Sequence, residues 1–239
     1  MTTNQRKQKR VRFLTIISSL ITLISSLDAS EGIIFNSQAR QDEFVYTVLY
    51  NLLDKQDSGY YLEIGAGEPI YINNTYVLEN SCGWQGLSID ISDDLMSRWY
   101  TARSNPLLSK DATQIDYSSV LGTFPLVIDY LSLDVDGHYD TVLSKVLQSN
   151  RVFKIITIEH DSYRYGDHYR NKEREILTAL GYYLLCPDVS HNGFAFEDWW
   201  IHPNFFAPSL FQQLTSLDLQ RKDCGEIMQN IKKLSGTRL

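Results

Sequence analysis

The sequence predicts an α/β domain: a seven-stranded, mostly parallel sheet with helices on both faces. Three observations carry this. The run Tyr60-Tyr61-Leu62 leads into Glu63-Ile64-Gly65-Ala66-Gly67, an acidic residue followed by a Gly-x-Gly turn. About one βα unit later a second apolar run, Gly86-Leu87-Ser88-Ile89, ends in Asp90. From there on, short apolar runs alternate with helical stretches, as in parallel strands joined by crossover helices.

The elements follow in order. Residues 41–54 are expected to be helical, with Phe44, Val45, Val48, Leu49, Leu52 and Leu53 on one face. Asp57-Ser58-Gly59 ends that helix and turns into a first strand at 60–64. Asn74 or Thr75 is placed to N-cap the next helix. The second strand is expected at 86–91 and a short third near Leu107-Leu108. Leu126, Val127, Ile128, Leu131 and Leu133 mark a fourth strand at 126–133, and Phe153, Ile155, Ile156 and Ile158 a fifth at 153–158. A helix over about 170–180 stops at Gly181, and strands six and seven follow at 182–186 and 194–201. Residues 205–239 read as a helical tail, with Leu210, Phe211, Leu214 and Leu217 sharing one face and Ile227, Ile231 and Leu234 another.

This divides the chain into a basic, amphipathic segment at 1–35, a main domain at 36–205 and a tail at 206–239 that packs on it. A length of 239 residues suffices for one such domain with a sizeable core. The formal charge is −7, whereas a domain that clamps phosphodiester by charge is normally basic, so no nucleic-acid partner is expected. Cys82, Cys186 and Cys224 are odd in number and lack metal-type spacing, which suits incidental thiols in a reducing, cytoplasmic setting. The amino terminus leaves other localisations open. Arg6, Lys7, Lys9, Arg10 and Arg12 precede a helical stripe of Phe13, Ile16, Ile17, Leu20, Ile21, Ile24 and Leu27, with hydroxyls opposite. Those hydroxyls speak against a membrane span. Docking on the main domain or on a partner, membrane-surface contact through residues 6–27, and secretion all remain open.

The turn after the first strand bears on the ligand. Gly65 and Gly67 let the backbone approach a ligand closely, and Asp90 is placed to accept from ribose hydroxyls. A dinucleotide fingerprint wants a third glycine at position 70, where this chain has Ile70 after Pro69. Glu63 adds a carboxylate just ahead of the turn, which suits a ligand with a positive centre and no phosphate. S-adenosylmethionine is such a ligand, and NAD is not.

Several stretches resemble the FkbM-type methyltransferases, of the class I methyltransferase group. They are Ser37-Gln38, Gln41-Asp42, Gly59 to Ala66, Asn73-Asn74-Thr75-Tyr76, Leu78-Glu79 and Gly83-Trp84-Gln85-Gly86-Leu87. Leu133-Asp134-Val135-Asp136-Gly137 is similar to that family's second signature, and the resemblance covers roughly residues 37–205. It implies a Rossmann-like sheet with an antiparallel final strand, and S-adenosylmethionine-dependent methylation, mostly of hydroxyls on sugars and natural products. The expected acceptor is therefore a small molecule or carbohydrate.

Strand carboxyl ends face the ligand crevice in such sheets. The candidate cofactor residues are Glu63, Gly65, Ala66, Gly67, Asn74, Asp90, Asp111 and Ala112. Asp111 either accepts from the adenine amino group or closes a surface turn. The fourth strand ends in Asp134-Val135-Asp136-Gly137-His138 and the fifth in Glu159-His160-Asp161. Two chemistries fit this edge. His160 or a carboxylate removes the acceptor proton, or Asp134 and Asp161 hold Mg²⁺. Candidate catalytic residues are thus Asp134, His160 and Asp161, and candidate acceptor contacts are Asp136, His138, Tyr163, Trp199 and His202. Two other classes stay in view: a non-catalytic protein that keeps the fold, and an NAD-dependent oxidoreductase.

Overall fold

The structure, a computed structural model, describes residues 32–236. The basic segment, its amphipathic stripe and the membrane contact considered for residues 6–27 lie outside the described residues. Among the described residues, those from Phe35 onward form one compact unit, so the C-terminal helices belong to the same body as the sheet. Among the described residues no helix is long and apolar enough to cross a membrane.

The unit opens with α1 (Gln41–Tyr46), which runs on as a π-helical turn over Thr47–Leu52. Phe44, Val45, Val48, Leu49 and Leu52 all point inward, as their spacing predicts. Next come β1 (Tyr60–Ile64), α2 (Tyr76–Cys82), β2 (Gln85–Asp90), α3 (Leu95–Ala102) and β3 (Leu107–Ser109). The second half holds α4 (Tyr117–Val120), β4 (Val127–Leu133), α5 (Tyr139–Leu147), β5 (Val152–Glu159), α6 (Ser162–Tyr165) and α7 (His168–Ala179). It ends with β6 (Tyr183–His191), β7 (Phe194–Ile201), α8 (Pro208–Thr215) and α9 (Cys224–Ser235).

The seven strands lie in the order β3-β2-β1-β4-β5-β7-β6. β1 pairs in parallel with β2 and β4, and β4 with β5, while β7 runs antiparallel to both β5 and β6. This is the Rossmann-like sheet expected from the sequence. β1, β4 and β5 are buried along nearly their whole length, which is why they read as continuous apolar runs. One cluster of Leu62, Ile64, Ile89, Leu131, Leu133, Val142, Phe153, Ile156 and Trp200 joins the sheet to α5.

Two local expectations change. The cap of α2 is neither Asn74 nor Thr75 by side chain. Asn73 Oδ1 instead accepts from the N–H groups of Thr75 (3.0 Å) and Tyr76 (2.7 Å). β6 also runs on to His191, past Pro187-Asp188, where a turn would be read. The register shifts between Cys186 and Val189 absorb both residues, and β6 is an edge strand, where proline is tolerated.

Candidate active site

The chain winds outward from β1 to β3, then returns to β4 on the other side of β1. At that reversal the loops after β1 and β4 diverge and leave a crevice at the carboxyl edge. There the structure holds a cavity of about 830 Å³. Of the sequence-predicted residues, Gly65, Gly67, Asp90, Asp111, Ala112, Asp134, Asp136 and His138 line it. Ile91, Lys110, Thr113, Gln114, Val135 and Thr141 line it as well, and sequence reasoning had not singled these out. All but Thr141, which stands on α5, sit within a few residues of a strand end already identified.

The floor of the cavity is a tightly hydrogen-bonded turn. Gly65 and Ala66 donate backbone N–H groups to the Ile89 carbonyl at 2.8 and 3.1 Å, and Asp134 donates its own to the Ile64 carbonyl at 2.8 Å. Gly65 has φ +81°, and a Cβ built there would fall 1.5 Å from the Asp134 carbonyl oxygen. Only glycine fits. Asp90 accepts from Gly67 N–H (2.9 Å) and Ser92 N–H (2.8 Å), one bond on each oxygen. Each oxygen keeps a lone pair for a ligand hydroxyl. Asp111 Oδ1 accepts from the Thr113 N–H (2.8 Å) and hydroxyl (2.7 Å), which hold its carboxyl below the usual range. Its side chain therefore closes the turn, while its place on the cavity wall remains.

Beneath the turn lies a buried network that includes Glu63. The Glu63 carboxylate is 1% exposed and does not reach the cavity. It accepts from the hydroxyls of Ser88 (2.7 Å) and Thr75 (2.9 Å), and burial raises its pKa against the pull of Arg103. Arg103, itself buried, donates to Glu79 (2.7 Å), Thr75 (2.8 Å), Asn73 (2.9 Å), Tyr61 (2.9 Å) and the Pro69 carbonyl (3.1 Å). Glu63 is thus a support of the loop rather than a direct ligand contact. Ala66 and Asn74 belong to the same layer: the Ala66 carbonyl accepts from Asn73, and Asn74 Nδ2 donates to the Ser132 hydroxyl at 3.0 Å.

The ends of β4, β5 and β7 bring four carboxyl groups together. Asp134 hydrogen-bonds Glu159, Asp161 accepts from the Tyr139 hydroxyl at 3.0 Å, and Glu197 stands directly opposite Glu159 in the ladder. Burial, with the charges of Asp161 and Glu63, pushes Asp134 up to about 6. Burial and Asp134 hold Glu159 well above the ordinary carboxylate range, and burial pushes Glu197 up to about 8. Groups this close cannot all ionise. Asp134 is the member of the set that also borders the cavity.

Other candidates stand elsewhere. The His160 ring has no exposed surface; its Nδ1 accepts from the Ser162 N–H at 3.2 Å. Its Nε2 lies 3.7 Å from Asp198 and 3.8 Å from Asp188, both ion-paired with Arg174. A base needs reach to the acceptor's proton, and this ring does not have it. Tyr163 is 60% exposed at the same sheet edge, packed on Phe194 with centroids 5.5 Å apart, and does not line the cavity. Trp199 is fully buried and stacks on Phe44 at 4.5 Å, so it is a core residue. His202 donates its N–H to Lys154, near the start of β5, and so stands at the opposite edge of the sheet. Mg²⁺ on Asp134 and Asp161 finds no support: Glu159 and Tyr139 engage these carboxyls, and the metal-capable triplets among the described residues lie elsewhere.

No family model matches the sequence, and no curated protein matches it. Solved structures with the same kind of sheet include an O-methyltransferase from Bacillus cereus in complex with SAH, 12% identical, with TM-score 0.49 over 76% of this chain and 86% of that one. A putative rRNA-methylase from Clostridium thermocellum is 12% identical, with TM-score 0.48 over 70% of this chain and 96% of that one. An rRNA methylase from Streptococcus thermophilus is 11% identical, with TM-score 0.47 over 72% of this chain and 99% of that one. Two of these three are rRNA methylases by name, which corrects the expectation that nucleic acid is no partner. A charge of −7 belongs to the whole chain and does not set the potential around one crevice. The likeness to these methyltransferases is one of fold.

Proposed function

We propose that this chain is an S-adenosylmethionine-dependent methyltransferase of the FkbM type, acting on a hydroxyl of a small molecule or glycan. One observation carries the reading: the Gly65–Gly67 turn, Asp90 and Asp134 converge on a single cavity of about 830 Å³ at the switch point of the sheet. That volume is within the range of small-molecule and cofactor sites. S-adenosylmethionine supplies an electrophilic methyl group, which the acceptor oxygen takes as the sulfonium carbon–sulfur bond breaks to leave S-adenosylhomocysteine.

The residues divide the work. Asp90, held by two backbone N–H groups, offers its free lone pairs to the ribose hydroxyls. Asp111 and Ala112 form the wall where the adenine ring would lie. Asp134 removes the acceptor proton. A carboxyl near pKa 6 is ionised at neutral pH yet more basic than an ordinary one, which suits a general base. Glu159 hydrogen-bonds Asp134 and fixes the orientation of its carboxyl.

Calorimetry with S-adenosylmethionine and with NAD tests the cofactor; binding of NAD alone overturns the proposal. Transfer of labelled methyl to hydroxylated small molecules, glycans and ribosomal RNA tests the acceptor. Label found only on a base nitrogen of RNA overturns the hydroxyl reading.

A further inference from the structure

A second cavity, of about 580 Å³, lies apart from the first and shares no lining residue with it. His191, Asp223 and Cys224 form one of its walls. Their donor atoms all lie within 4.8 Å of one another. We propose that these three side chains bind a zinc ion, with its fourth position open to the cavity and filled by water.

The backbone brings the ligands together. Ser190 at the end of β6 forms an isolated parallel bridge with Asp223, and the Ser190 N–H donates to the Lys222 carbonyl at 3.0 Å. His191 and Cys224 are each the next residue along, so the bridge sets them side by side. Asp223 is also the N-cap of α9, its Oδ1 accepting from the Gly225 N–H at 2.9 Å, which holds the carboxylate beside Cys224 and leaves that oxygen a second lone pair for a metal.

The distances fit a tetrahedral ion. Zinc–nitrogen and zinc–sulfur bonds of ~2.0 and ~2.3 Å, opened to a tetrahedral angle, put the two donors ~3.6 Å apart. His191 Nδ1 and Cys224 Sγ stand 3.7 Å apart. Asp223 Oδ1 lies 4.0 Å from the same sulfur, a few tenths of an ångström beyond the corresponding separation. Mixed nitrogen, sulfur and oxygen ligands suit Zn²⁺, whereas Mg²⁺ demands oxygen ligands in an octahedron. With the thiol deprotonated, one thiolate and one carboxylate balance the charge of the ion. Three protein ligands plus one open position is the arrangement of zinc sites that keep a water.

The test is calorimetric titration of the full chain, stripped with a chelator, with Zn²⁺ alone and Mg²⁺ alone, followed by cobalt substitution. One equivalent of Zn²⁺ is expected to bind and Mg²⁺ not. Cobalt is expected to give a thiolate-to-metal absorption band that Cys224→Ser abolishes and Cys82→Ser leaves unchanged. His191→Gln, at a half-exposed position, should weaken zinc binding on the order of tenfold or more, the scale on which even outer partners of metal ligands act. Circular dichroism checks that each variant folds. Absence of stoichiometric zinc binding by the unaltered chain overturns the proposal. So does binding that His191→Gln and Cys224→Ser both leave intact.

Discussion

Asp134→Asn should stabilise the protein while it removes catalysis. Asp134 is held near pKa 6 in the folded chain against an ordinary 3.8. Between those two values the folded state keeps a proton that the unfolded chain has lost. Stability must therefore fall as pH rises through that window, and the full cost is present above about pH 6. The difference corresponds to roughly 3 kcal/mol. Asparagine cannot ionise and can still hydrogen-bond Glu159, so the variant avoids that cost. Urea denaturation of variant and parent at steps from pH 4 to 7.5 reads the effect. The gain should be near zero at the acid end and approach roughly 3 kcal/mol at neutrality. Methyl transfer should drop by ~10²–10⁴-fold, the usual worth of a general base. A gain that does not change with pH, or a variant less stable than its parent at pH 7.5, refutes the reasoning.

Asp90→Ala should weaken S-adenosylmethionine binding by about 1.5–3 kcal/mol in calorimetry, the scale of hydrogen bonds to a charged group; unchanged affinity removes Asp90 from the site. Gly65→Ala forces a Cβ into the Asp134 backbone, so a loss of about 3 kcal/mol or more is expected in thermal or urea melts. An unaltered melt would place that turn wrongly. Arg103→Met leaves Glu79 and Glu63 buried without their counter-charge and should destabilise by about 3–5 kcal/mol; a loss under about 1 kcal/mol contradicts the network. His160→Gln should lower stability but leave the acidic limb of the transfer rate where Asp134 sets it, and disappearance of that limb would return His160 to the role of base.

The sheet was legible because its strands are doubly buried, so each is an apolar run that stops at a polar or glycine residue. The same stops marked most of the cavity: Gly65, Gly67, Asp90, Asp111, Asp134 and Asp136 all sit at or just past a strand end. What stayed hidden depends on direction and register. His202 follows a strand, but β7 runs antiparallel, so its end lies at the edge opposite the cavity. Glu197 gained its place only from its pairing with Glu159 across that antiparallel ladder. His160 and Asp161 are sequence neighbours; one ring turns into a buried ion-pair network and the other side chain meets Tyr139. Arg103 is distant in sequence from Glu63, and no periodicity marks an arginine that folds inward. Asn73 and Asn74 are chemically identical, and only the geometry of the α2 terminus decides which one caps it.

The contact between Gly65 and the Asp134 carbonyl has a consequence for how such a site diversifies. The loop that would cradle the methyl donor and the strand end that would carry the base touch backbone to backbone, with no side chain between them. Neither can slide without the other. The geometry from donor to base is thus a fixed jig, and new acceptors must be accommodated by what approaches it from outside. The segment from Ser162 through Tyr169 meets that need: it is short-helical and largely exposed, and it rests on the sheet through Tyr163 against Phe194. Selection for a different acceptor would accumulate changes there, while the jig beneath it stays the same.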